Sequence, residues 1–192
     1  MSPPPRERCS GQGGFSLLEL LVTLIVVVLI TSLVSLNVGS GGREIRLEAQ
    51  LRDIASVAAY ALDEAQMLGL DYGLLLHQEY AEGSLLYGYS WRERRPEGWR
   101  EPGSGKDIFA PGMLPDDVEL ELELEGVPVA ELSLEGGDEQ AAPQVVLYAS
   151  GETSAGAIDV RHRQSGELLW RLEWDLLGRF QLLRRGELDE ET

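Results

Sequence analysis

The run from Phe15 to Leu36 constrains this chain more than any other feature. It contains Leu, Ile, Val and Phe, a few Ser and Thr, and one charge, Glu19. At ~1.5 Å per residue it makes a helix of roughly 33 Å, enough to cross a hydrocarbon core. A carboxylate there costs about 2.5–3.5 kcal/mol when central and less near an interface. Glu19 lies one turn in, so it sits shallow. One reading is a Glu that snorkels to the headgroups. A second reading uses the residues before it. A cut between Gly14 and Phe15 would give Phe15 a free, positively charged amine. Glu19 would follow one turn later, near the positive end of the helix dipole. In a stack of related helices, one subunit's Glu19 could pair with its neighbour's amine, leaving neither charge alone in lipid.

Arg6 and Arg8 precede the run, whereas Gly and Ser follow it. The positive-inside rule therefore keeps the N-terminus cytoplasmic and exports the rest. A cleaved secretory signal is the competing reading. Its apolar core would span about 7–15 residues and end at a small-x-small site. This run is longer, and Ser35-Leu36-Asn37 matches such a site poorly. The single cysteine, Cys9, precedes the run with no apolar stretch before it, which argues against a lipoprotein signal. Without Cys9 the chain has no disulfide and no cysteine-based metal site. The net charge is −17 and Lys106 is the only lysine. Nucleic acid is therefore not an expected partner, since phosphate binding needs a basic footprint.

The chain divides into five stretches. Residues 1–14 form a polar leader with Pro3-Pro4-Pro5. Residues 15–38 form the transmembrane helix. Residues 39–42 are a glycine-rich hinge or linker, each Gly costing ~1 kcal/mol of helix propensity relative to Ala. Residues 43–185 form an exported domain, large enough for its own core, and residues 186–192 an acidic tail. In the exported part Leu47, Leu51, Ile54, Ala58, Leu62, Ala65 and Leu68 recur every three or four residues. That spacing predicts an amphipathic helix over 43–68 with its apolar stripe in the core. Gly69 is the expected stop.

Strands follow. Residues 71–77 and 85–92 read as a hairpin turning near Glu82-Gly83. Residues 94–115, rich in Pro, Gly and charge, read as a loop region with room for one short strand. Val118, Leu120, Leu122 and Leu124 alternate strictly with Glu119, Glu121 and Glu123, a half-buried strand with an acidic face. Residues 127–134 are expected to complete its hairpin. Residues 145–148, 157–162, 168–174 and 179–183 complete the set. The expected fold is α+β: a long N-terminal helix, transmembrane then amphipathic, packed on an antiparallel sheet.

Gly13-Gly14-Phe15-Ser16-Leu17-Leu18-Glu19 and the apolar residues after it resemble the type III signal of type IV prepilins and pseudopilins. The resemblance implies a prepilin peptidase that cuts between Gly14 and Phe15 and methylates the Phe15 amine. It implies Glu19 as the carboxylate used in filament assembly. The proline that many major pilins carry within this helix is absent. Later stretches narrow the resemblance. "LRDIASVAAYALDEAQMLGLDYGLLL", "GYSWRERRPEGWREP", "MLPDDVELELELEG", "YASGETSAGAIDV" and "WDLLGRFQL" are similar, in that order, to the H-type minor pseudopilins of type II secretion. That family implies a structural role in a short periplasmic filament that drives export of folded proteins. It implies inner-membrane anchoring by one span, and as partners other major and minor pseudopilins, the peptidase and the inner-membrane secretion platform. Minor type IV pilins share much of this pattern and stay open as an alternative.

No catalytic residue, cofactor or metal site is expected. His77 and His162 stand in strands without motif spacing. Asp116-Asp117, the strand glutamates and Asp189-Glu190-Glu191 lack a calcium-loop pattern. They read as solvated faces, and an acidic edge discourages sheet-to-sheet aggregation. Trp170 and Trp174 read as core, and Trp99, in a loop, as a contact residue. A membrane-anchored binding domain or enzyme is the reading from another class.

Overall fold

A computed structural model describes residues 17–81, 83–103, 107–127, 132–134 and 141–187, with the side chains of 31–41 and 133–134 outside the description. One helix, α1 (Leu17–Leu68), leads the chain. Two compact units divide between Gly42 and Arg43.

In the first unit every described side chain from Leu17 to Ile30 is exposed. Among the described residues no helix is long and apolar enough to cross a membrane. The apolar run of the sequence continues past this stretch at both ends. The backbone at Gly39–Gly42, where a hinge is expected, is helical in this structure.

The second unit opens with the rest of α1. Leu47, Leu51, Ile54, Ala58, Leu62 and Ala65 are buried as the spacing predicts, joined by Val57 and Ala61. Leu68 departs from the expected stripe: it is 55 % exposed at the helix end. Gly69 adopts φ +67°, the left-handed region that glycine occupies without Cβ strain. Its N–H and that of Leu70 both donate to the Ala65 carbonyl, at 2.9 and 3.3 Å, and end the helix.

The strands form two sheets, where the sequence suggested one. The first holds β1 (Tyr72–Ala81), β2 (Ser84–Arg95), β3 (Gly98–Arg100), β4 (Gly112–Met113), β6 (Ser133–Leu134) and β7 (Val145–Leu147). The second runs β10 (Phe180–Arg184), β9 (Leu168–Trp174), β8 (Gly156–His162) and β5 (Val118–Leu124) in spatial order. Pairing is antiparallel throughout, except that β6 runs parallel to β1 at His77 and Gln78. Tyr72, Leu74 and Trp91 of the first sheet, Leu120, Val160 and Leu172 of the second, and the buried face of α1 make one core cluster. Phe109, in a 3₁₀ turn at Asp107–Phe109, stacks on Tyr72 with ring centroids 5.5 Å apart.

Several expectations are corrected. The described residues of 127–134 do not form a hairpin strand on β5. The partner of β5 is β8, from Val118↔His162 to Leu124↔Gly156. Val127 makes only an isolated bridge to Leu124 around Gly126, at φ +78°, and Ser133–Leu134 joins β1 instead. Residues 94–115 hold two short strands, β3 and β4. The strand expected at 85–92 runs on to Arg95, because Arg92 and Glu93 are both buried and Glu93 accepts from Arg95 at 2.7 Å. Trp99 is buried on β3, with the Arg94 guanidinium 5.3 Å from its ring centroid, and is not a free loop contact.

Candidate functional site

Of the N-terminal residues expected to carry the assembly chemistry, Gly14 and Phe15 lie outside the described residues. Glu19 stands in the first turn of α1 with its side chain exposed. A carboxylate there is favoured by the helix dipole. Thr23 Oγ1 donates to the Glu19 carbonyl at 2.6 Å, one turn back along the helix.

The second unit is built for rigidity where sheet, helix and turn meet. The Thr153 hydroxyl donates to the Asp175 carbonyl at 2.7 Å, and the Thr153 N–H to Leu176 O at 2.9 Å. Asp175 Oδ1 accepts from the N–H groups of Leu177 and Arg179, both at 3.0 Å, while Oδ2 accepts Arg179 Nε at 2.6 Å. The Arg179 guanidinium first, then these N–H groups, hold the Asp175 carboxyl below the usual range. Gly178, at φ +68°, closes the turn against Leu62 of α1: a Cβ there would meet Leu62 Cδ2 at 2.4 Å. The Gly151–Ser154 and Asp175–Gly178 stretches, far apart in sequence, thus lock together.

Charges on the outer face of the second sheet are also organised. Asp159 is 3 % exposed, roofed by Arg171 at 2.7 Å and Arg161 at 3.0 Å. Arg171 reaches on to Glu123 at 2.8 Å and Arg161 to Glu121 at 3.4 Å. The Glu123 hydrogen bond, with the Asp159 charge, raises the Arg171 guanidinium further. The expected acidic face is therefore partly neutralised from within. Arg163 fastens the two sheets. It donates to the carbonyls of Leu85 in β2 and Val118 in β5, the latter at 3.0 Å, and lies 5.9 Å from the Tyr87 ring centroid.

The histidines are not brought together. His77 is buried in β1 with its ring on Gly88 and Met113, where burial pushes its pKa down. His162 Nδ1 lies 3.2 Å from Ser165 Oγ at the turn leaving β8. Among the described residues no group of three His, Cys, Asp or Glu stands close enough to hold a metal ion. An open groove lies at one end of the second sheet, between Glu123–Glu125 and the Asp175–Arg179 turn. Nothing in the sequence singled out this groove, because Leu176-Leu177 reads only as part of a turn.

No family model matches the chain. It is 27% identical over 187 residues to type II secretion system protein H of Aeromonas hydrophila, covering 93% of this chain and 97% of that protein. It is 28% identical over 145 residues to type II secretion system protein H of Pseudomonas aeruginosa, covering 73% of this chain and 78% of that protein. Its fold matches the crystal structure of the minor pseudopilin EpsH from the type II secretion system of Vibrio cholerae. There the TM-score is 0.55 at 19% identity, over 77% of this chain and 96% of that one. The chain is similar over most of its length to protein H of type II secretion systems. In this chain the motifs that carried the resemblance occupy structural stations. The Arg52-to-Gly69 stretch is the helix end, Val118–Leu124 is the edge strand β5, and the Gly151 and Asp175 turns are the interlocked pair.

Proposed function

We propose that this chain is a structural subunit of a short periplasmic pseudopilus that drives export of folded proteins. The observation that carries the reading is the contrast within α1, supported by the relatives. From Leu17 to Ile30 an apolar surface is exposed on all sides and carries one carboxylate. From Leu47 onward the same helix is amphipathic and buried. An apolar cylinder of this kind needs a lipid or helical surround.

On this reading prepilin peptidase cuts between Gly14 and Phe15 and methylates the Phe15 amine. The chain waits as a single-pass inner-membrane protein with a cytoplasmic N-terminus and a periplasmic domain. The secretion platform then extracts it, and Glu19 pairs with the Phe15 amine of a neighbouring subunit. The partners are other major and minor pseudopilins, and the role needs no catalytic group. The hinge at Gly39–Gly42 acts under extraction, when helix propensity is weakest there.

A deletion strain assayed in parallel for exoprotein release and for pili tests this. Loss of exoproteins with intact piliation is the expected result. Loss of pili with normal secretion would move the protein to the minor type IV pilins. If secretion depends on the chain but survives substitution of Gly14, an anchored binding domain or enzyme becomes the better account.

A further inference from the structure

We infer that the groove between Glu123–Glu125 and the Asp175–Arg179 turn docks a basic segment, bearing a large apolar side chain, of another pseudopilin. This rests on the structural-subunit reading above. Three observations carry it. Leu176 and Leu177 are 57 and 62 % exposed, side by side on the lip of the groove. Isolated exposed leucines are ordinary, but an adjacent pair beside a concave apolar floor is the start of an interface. The pair is also held rigidly. Thr153 N–H bonds to Leu176 O, and Asp175 takes the Leu177 N–H. The lip therefore loses little conformational freedom on binding, which lowers the cost of association.

The second observation is the floor. Ala155, Gly156 and Ala157 are small, and the aromatic edges of Trp174 and Phe180, stacked at 5.4 Å, close one side. Gly156 sits so close to β5 that a Cβ would lie 2.2 Å from Glu123 O. A floor of small residues leaves depth for an incoming side chain. The third observation is charge. The groove is lined by the carboxylates of Glu123, Glu125, Glu173 and Asp175 and by two cations, Arg171 and Arg179. Both cations are already bonded within the chain, Arg171 to Asp159 and Glu123, and Arg179 to Asp175. The rim therefore presents net negative charge to a visitor, which favours Lys or Arg beside the apolar anchor. A second copy of this chain, with net charge −17, would be repelled.

The test uses the full chain in detergent micelles, titrated separately with each purified pseudopilin of the same secretion system and with itself. The wild type should bind one of them. L176S/L177S should weaken that binding at least tenfold, by about 1.4 kcal/mol or more. E123Q/E125Q should weaken it less and flatten its salt dependence. Tyr80→Ser, at a residue 76 % exposed on the first sheet, should leave it unchanged. Thermal unfolding of each variant checks that the domain stays folded. The groove is overturned if no pseudopilin binds the wild type, if only self-association appears, or if Tyr80→Ser does the same damage. Unchanged affinity in L176S/L177S also overturns it. A normal exoprotein phenotype on deletion of the whole chain would instead overturn the role on which the groove rests.

Discussion

The two parts of α1 share a backbone conformation and little else. Leu17–Ile30 is apolar around its whole circumference and exposed, whereas Arg43–Leu68 hides one face in a core and shows charge on the other. The second part is stabilised by its own chain, with Leu47, Leu51 and Ile54 against two sheets. A helix surface that is apolar all round calls for a lipid or helical surround. The difference teaches that a helix's secondary structure says nothing of its solvent; the pattern of side chains does.

The largest effect that could break this comparison comes from paired truncations. Leu51→Ala, at a fully buried position, should cost about 2–5 kcal/mol in denaturant unfolding of the full chain in detergent. Leu24→Ala, on the exposed part, should leave that transition in place. Equal losses would mean that the first part also packs on the domain. A second pair sharpens the contrast through glycine. Gly156→Ala drives a Cβ into the Glu123 carbonyl and should destabilise by about 3 kcal/mol. Gly42→Ala meets nothing within 4 Å and should strengthen the helix by roughly 1 kcal/mol. If Gly39–Gly42 works as a hinge, the same change should also slow filament incorporation; unaffected incorporation would remove the hinge.

The smallest effect is a pH dependence confined to the domain. His77 is held neutral by burial, so its folded pKa lies below the ordinary 6.5. Between those two values the unfolded chain binds the extra proton, and stability falls as pH drops below about 6.5. His77→Gln should flatten the pH dependence of the unfolding midpoint in that window. A slope unchanged by the substitution would show that His77 is not its source.

The local pattern carried much of the fold. The alternation from Val118 to Leu124 marks β5 to the residue, and the apolar stripe from Leu47 to Ala65 marks the buried face of α1. What the sequence could not show was pairing over distance. Residues 127–134 follow β5 and suggest its hairpin, yet the ladder partner is β8, because loop closure costs little compared with placing Ile158 and Val160 in the core. The strand read at 85–92 runs on through the buried Arg92 and Glu93, because covered faces of β2 accept charge where a partner or carbonyl lies in reach. At the candidate site, Glu19 stood out because a lone carboxylate in an apolar run is costly. The Leu176–Leu177 lip did not, since its exposure depends on the Asp175 and Thr153 bonds that hold the turn.

The central claim is that the first part of the helix is made for assembly after processing. Intact mass of the protein from native membranes containing active prepilin peptidase tests it most directly. The account predicts a chain that begins at Phe15 and carries one added methyl group on its amine. A chain that still begins at Met1, or one cut near Asn37, would contradict it.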